Sequence, residues 1–345
     1  MRQDGGESST NYQAGGDITF QGVSYSEARQ IALDLFEVKR RELVREAAET
    51  AEVRVGELVT DFIERLRQDS PESINTLRDP DMQFTLGSAE VAYARSGDKG
   101  LEELLVDLLL KRAQTPSRSL LQVVLNEAIS VVPKLIDYHW NTLSLIFTLK
   151  YTINNTLTNV NNLQNYFSKY IAPLLHNVSK ENACFQHLEY AGCATNTVLV
   201  HSLEEHYFLT NYSGLFSKGI SPNSMEDYYK ELPSIKGLFL PCLHNGKLFQ
   251  VNAMNENVIK ERVRAIGGNE ALTSRIITLH KESLMKKEEV RSLLLTLLPC
   301  ASELFDYWDS SMANRMQLTS VGITLGNVNM KRQFGEMADL TIWIK

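Results

Sequence analysis

Arg275 and His280 place a permanent cation and a titratable imidazole five residues apart on one expected helix. An imidazole can move a proton and a guanidinium can stabilise an anion, so the pair has the residue types of acid–base chemistry. Against that, Arg-x4-His arises easily by chance, and five residues is one more than the spacing that aligns best on a helical face. A surface arginine and an ordinary histidine are the plainer reading. A second group, Cys184-x2-His187, Cys193 and Cys242-x-His244, contains the ligand types of a zinc site. Zinc takes four such ligands in tetrahedral geometry, as a rule from paired short-spaced motifs. These spacings are not distinctive, and Cys184 and Cys242 sit among apolar neighbours, where a buried free thiol is common. The expectation is therefore no metal and no cofactor. There is no Gly-x-Ser-x-Gly elbow, Walker loop, dinucleotide fingerprint or His-Glu-x-x-His. His201 and His206, beside Glu204 and Glu205, read as a solvated helix face, and Gly15-Gly16 lacks the lysine and following helix start of a phosphate cradle.

The elements that would carry these residues are mostly helical. Ser24-Tyr25-Ser26-Glu27 reads as a capping box, Ser24 at the N-cap and Glu27 reaching back. From there to residue 69 runs a Glu/Arg/Ala-rich stretch without proline, with Ile31, Leu35, Val38, Val55, Leu58, Phe62 and Leu66 at helical spacing. Such a helix would be about 60 Å long. Its middle is polar nearly all round, so it needs a partner or side-chain pairs such as Glu37 with Arg41 and Arg45 with Glu49. Beyond Ser70-Pro71 the pattern predicts a bundle over 70–180, with helices near 81–95, 99–114, 117–130, 133–150 and 156–172. The Asn-rich run from Thr152 to Asn162 reads as a loop and a polar helix start. Residues 181–345 are expected to be mostly α, with a β-hairpin near 238–251 whose Asn245-Gly246 would supply a type I′ turn. Helices resume at 254–265, 268–281, 286–298 and 300–313. Leu340 to Ile344 reads as a terminal strand. The fold class is thus mostly α: a multi-helix bundle with a long N-terminal helix and a small β-hairpin and terminal strand element in the second half.

The formal net charge of −7 argues against a generic nucleic-acid coat, which wants a basic face. No run approaches the ~20 apolar residues of a transmembrane helix; Leu143 to Leu149 is too short and stops at Lys150. With no signal-peptide pattern and only four cysteines, a cytoplasmic protein without a disulfide framework is expected.

Residues 1–23 form a Gly/Gln/Asn-rich tail expected to be flexible. Within it, Asn11, Gln13, Gly15, Gly16, Ile18, Phe20 and Gln21 could pair with copies of themselves as strands with amide ladders. The run Gln13-Ala14-Gly15-Gly16-Asp17-Ile18 is similar in composition to the amyloid-like signalling segments of bacterial immune proteins. Asp98 to Leu109, with the Ser117–Ile129 helix after it, resembles the helical core of the Abi-alpha group of bacterial proteins. Leu318-Thr319-Ser320-Val321-Gly322 looks like that group's Leu-Thr-x-x-Gly element, which also occurs before the wing strand of winged-helix domains. The chain as a whole resembles an uncharacterised bacterial family. The Abi-alpha resemblance implies abortive infection, in which an infected bacterium halts phage growth by arresting or killing itself, and it supplies no catalytic residues. The Arg275/His280 pair resembles that of the HEPN ribonucleases, in which two copies face each other and cleave RNA. The resemblance implies that Arg275 would stabilise the charge of a phosphorane and His280 would handle a proton, although Ile276 stands where that family usually has a polar residue.

Three functions are therefore carried forward. The leading one is a non-enzymatic, self-associating antiphage component, a homo-oligomer that assembles through the tail and first helix and meets a phage or host protein. The others are a HEPN-like ribonuclease using Arg275 and His280, and a winged-helix nucleic-acid binder, against which the acidic balance counts.

Overall fold

The computed structural model describes residues 24–231, 233–335 and 337–345. It divides into two units, residues 1–53 and 54–345. The mostly α class is what the chain adopts. In chain order the α-helices are α1 (Tyr25–Asp69), α2 (Pro80–Ser96), α3 (Lys99–Ala113), α4 (Leu120–Val131), α5 (Asp137–Tyr151), α6 (Val160–Tyr166), α7 (Ala172–Leu175), α8 (Asn182–Tyr190), α9 (Thr210–Tyr212), α10 (Pro222–Glu231), α11 (Glu256–Ala265), α12 (Glu270–Glu282), α13 (Lys287–Leu297), α14 (Ala301–Ser310) and α15 (Ser320–Phe334). Strand β1 (Ala194–Asn196) pairs antiparallel with β4 (Met316–Leu318), and β2 (Phe239–Pro241) with β3 (Phe249–Val251).

The larger unit is organised around helices that are buried along most of their length. In α3, Leu104 to Leu109 are buried without a break. In α5, the run Leu143–Leu149 that is too short to span a membrane is instead buried from end to end. Helix α15 lies along α5 and also touches α3 and α4. Its approach is set by small residues. A Cβ on Gly326 would stand 2.8 Å from Phe147 Cβ, and one on Gly322 would stand 1.9 Å from the Cys193 carbonyl oxygen. Asn329 and Ser144, sealed in this seam, are paired: Asn329 Nδ2 donates to Ser144 Oγ at 2.8 Å, and Ser144 donates on to Gly326 O at 3.4 Å. That satisfies groups whose desolvation would otherwise cost about 1–3 kcal/mol each.

At the other end of α3, the Arg112 side chain is wholly buried. It donates to Asp81 Oδ2 (2.7 Å), Asp79 Oδ2 (3.2 Å) and Asn126 Oδ1 (2.8 Å). The guanidinium, with help from Asn126, holds the Asp81 carboxyl below the usual carboxylate range. This cluster ties α2, α3 and α4 together. A second, smaller core belongs to the segment between β1 and β4: Ile220, Phe239, Val251, Ile259, Val263 and Ile276 pack the β2–β3 ladder against α11 and α12.

Several local expectations need correction. The hairpin at 238–251 exists, but residues 242–248 join its strands, and Gly246 does not take the positive φ that a type I′ turn requires. The interruption is held by Cys242 N–H on Leu248 O (2.8 Å) and by Leu243 N–H on Gln250 Oε1 (2.9 Å). Leu340–Ile342 is a 3-10 turn, not a strand, because Asp339 caps it by accepting Thr341 N–H at 2.9 Å. The helix expected over 156–172 starts at Val160, where Asn159 caps it, and opens into a π-helical turn at Phe167–Ile171. The Leu-Thr-x-x-Gly element leads into helix α15 and not into a wing strand, since Thr319 Oγ1 accepts the Gly322 N–H and caps the helix. No described helix is long and apolar enough to cross a membrane.

Candidate functional site

In the smaller unit the described residues are the first eight turns of α1. The capping box forms as expected: Glu27 N–H reaches Ser24 Oγ at 3.3 Å, and Ser24 N–H reaches Glu27 Oε2 at 2.8 Å. The Ser24 backbone and hydroxyl donors hold the Glu27 carboxyl below its ordinary value. Side-chain pairs Arg41–Glu37 (3.4 Å), Lys39–Glu42 (2.9 Å) and Arg45–Glu49 (3.7 Å) follow along the helix. Exposed pairs of this kind contribute only about 0.3–0.5 kcal/mol each. Every residue from Ser24 to Thr50 is exposed, among them Leu35 (65%), Phe36 (66%), Val38 (65%) and Val44 (63%). Helices owe most of their stability to apolar side chains packed on something, and these exposed apolar side chains are spread around the helix among its charges. The tail residues Asn11, Gln13, Gly15, Gly16, Ile18, Phe20 and Gln21 lie outside the described residues.

The nuclease pair lies on α12, in two different environments. His280 is 1% exposed, with Nε2 at 2.8 Å from Ser213 Oγ, and burial pushes its imidazole down to about 4. Arg275 is exposed, with its guanidinium over the Tyr228 ring at 4.8 Å. Within one protomer the two side chains do not share an accessible face. The signal for this was present: Ile276 and His280, four apart, fall on one helical stripe, and Ile276 is in the small core.

The zinc candidates are dispersed, each with a protein neighbour. Cys184 is buried on α8, its thiol pushed up to about 11 by burial. His187 Nε2 lies 2.6 Å from Lys134 O, and its ring stacks on His139 at 4.9 Å. The Cys193 thiol is pushed up to about 12 by burial. Cys242 Sγ donates to Ser217 O at 3.4 Å, and His244 Nε2 lies 2.6 Å from Leu215 O. Among the described residues, no three His, Cys, Asp or Glu side chains gather as a metal site.

Two clefts in the larger unit escape the sequence. One, of about 270 Å³, is lined by Lys150, His201, His206 and Trp308. Burial draws the Lys150 amine down to about 8, but Nζ donates to Met316 O (2.8 Å) and Asn314 O (3.1 Å) and sits 5.3 Å from the Trp308 ring centroid. Two carbonyl acceptors and an aromatic face favour the ammonium, so Lys150 works as a clip between α5 and β4, not as a nucleophile. Next to it, the His201 and His206 rings meet edge to face at 4.5 Å, and Glu204, fully buried, takes the Arg291 guanidinium. The other cleft, of about 530 Å³, is lined by amide side chains from separate stretches of the chain, among them Asn155, Gln250, Asn252, Asn255 and Asn257.

A protein-family model described as ":-like" matches residues 22–344, and the chain belongs to that family. No curated protein and no solved structure matches it.

Proposed function

We propose that this member of the ":-like" family is a non-enzymatic, self-associating protein whose assembly surface is the helix from Ser24 to Val53. The carrying observation is the continuous exposure of its large apolar residues. The partner best matched to it is a second copy of the same helix. Residues 39–45 carry Lys39, Arg40, Arg41 and Arg45 against one carboxylate, Glu42, while residues 46–52 carry Glu46, Glu49 and Glu52. Two copies laid antiparallel about the 45/46 position set the basic block of each against the acidic block of the other. An in-register parallel pair would instead set like charges together, which destabilises neighbouring helices. The tail residues 10–23 would add strand-like pairing between copies. The setting of phage defence, with a phage or host protein as partner, comes from the Abi-alpha resemblance alone.

Light scattering on the full chain tests this. The wild type should run at a multiple of the 39.0 kDa protomer mass. Phe36→Glu with Val44→Glu should return it to the protomer, and raising salt should weaken association because the charge blocks are solvent-exposed. Deletion of 1–23 reports on the tail separately. A mass unaltered by the double substitution would remove the helix from the interface.

A further inference from the structure

The 530 Å³ cleft has a composition that points to a ligand class, on grounds independent of assembly. It is enclosed by the loop before α6, the Gly214–Leu215 turn, Leu240 of β2 and the chain from Gln250 into α11. Part of the wall is fixed. Gln250 is 3% exposed, donates Nε2 to Gly214 O at 2.8 Å and accepts Leu243 N–H at 2.9 Å. Asn255 caps α11 through Asn257 N–H and Val258 N–H, and donates to Asn211 O at 3.1 Å. Gly214 lies so close that an added Cβ would stand 2.1 Å from Ala253 O. Against this fixed wall, the side chains of Asn155, Asn252, Asn257, Glu261 and Arg262 line the cleft and make no hydrogen bond or ion pair with the described protein. Leu157, Leu215, Leu240 and Val258 supply apolar surface.

A side-chain amide offers one acceptor and an NH₂ donor, the complement of a main-chain N–H and C=O. Three free asparagines around an apolar floor therefore match an extended peptide: its backbone on the amides, one aliphatic side chain on the leucines. Two observations set this above a nucleotide. Among the described residues, no aromatic ring lines the cleft to stack on a base. The free charges at its rim, Glu261 and Arg262, are of opposite sign, which suits a neutral main chain better than a phosphate. The volume lies in the usual range for small-ligand sites, about 300–1,000 Å³. We propose that this cleft binds a short extended peptide segment of a partner protein bearing an aliphatic side chain.

Saturation-transfer NMR on the full-length protein provides the test, using capped Ac-Gly-Xaa-Gly-Gly-NH₂ peptides with Xaa Leu, Ile, Met or Glu, and AMP as the nucleotide probe. Transfer to the aliphatic peptides and not to the Glu peptide or AMP is expected. Asn155→Ala combined with Asn257→Ala, both exposed positions, should weaken binding at least fivefold, with an unchanged circular dichroism melt. Leu240→Ala should reduce transfer to the aliphatic methyl protons. Equal transfer in the wild type and the double variant, a response to AMP in place of the peptides, or no transfer from any peptide at millimolar concentration would overturn the proposal.

Discussion

Replacing Gly322 with alanine inserts one methyl group where the backbone leaves no room. Its Cβ would stand 1.9 Å from the Cys193 carbonyl oxygen, against about 3.4 Å for ordinary contact, so the two chains must part by about 1.5 Å. The obstacle is backbone, and Thr319 anchors it in place. Thr319 N–H donates to Cys193 O at 3.0 Å, and its hydroxyl lies 2.6 Å from Gly192 O. Overpacking of this sort costs about 1–3 kcal/mol, and loosening two hydrogen bonds adds about 1 kcal/mol each. Alanine returns about 1 kcal/mol of helix propensity. The net loss is about 2–4 kcal/mol, or a melting point lower by about 3–6 °C for a chain of this size at about 2.1 cal/mol/K of unfolding entropy per residue. Gly87, inside α2 with nothing within 4 Å of a built Cβ, is the matched control. There alanine should gain up to about 1 kcal/mol. Differential scanning calorimetry of both variants decides it. If Gly322→Ala melts at or above the wild type, the close approach of α15 to Cys193 does not constrain the fold.

Acid should unfold the protein partly through histidine. Burial holds His139 and His280 near 4, so both are neutral in the native state at pH 7 and titrate near 6.5 once unfolded. Between those values the unfolded chain binds more protons. Stability is therefore complete above about pH 6.5 and falls toward pH 4 by about 3 kcal/mol per histidine. His280→Asn should flatten that slope in urea melts taken at pH 4.5 and 7; an unchanged slope would show that His280 is not buried neutral. The thiols of Cys184, Cys193, Cys242 and Cys300 are all buried. A chromogenic disulfide reagent should accordingly modify them at pH 8 only after denaturant is added, and fast reaction in native buffer would contradict their burial. Arg112→Met removes a buried guanidinium but leaves Asp79 and Asp81 half in solvent. The expected loss is below the 3–5 kcal/mol typical of a broken buried pair, about 2 kcal/mol by chemical denaturation, and a variant as stable as the wild type would take Arg112 out of the list of anchors.

Local signals were read well from the sequence and distant ones were not. The Ser24–Glu27 box and the leucine period of α3 are written within a few residues of where they act. The β1–β4 ladder is three residues long on each side, with no alternation to reveal it, and its partners are fixed only by the tertiary fold. Gly322 looks like part of a Leu-Thr-x-x-Gly motif, but the reason for it is a carbonyl at Cys193. Arg112 is one more basic residue in a charged helix end until α2 and α4 close over it. The amide cleft is harder still, because its free side chains come from separate stretches of chain, and each alone resembles an ordinary polar loop.

The seam between α5 and α15 also dictates an order of events during synthesis. Ser144 and Asn329, joined by a hydrogen bond, are 185 positions apart. At about 5–20 residues per second, a ribosome leaves the finished α5 waiting about 10–40 s for the helix that covers it. During that interval Leu143 to Leu149 is an apolar segment without its mate. A message cut before Ser320 would therefore yield a polypeptide without α15, the helix that covers this run, and so unable to close its own interior.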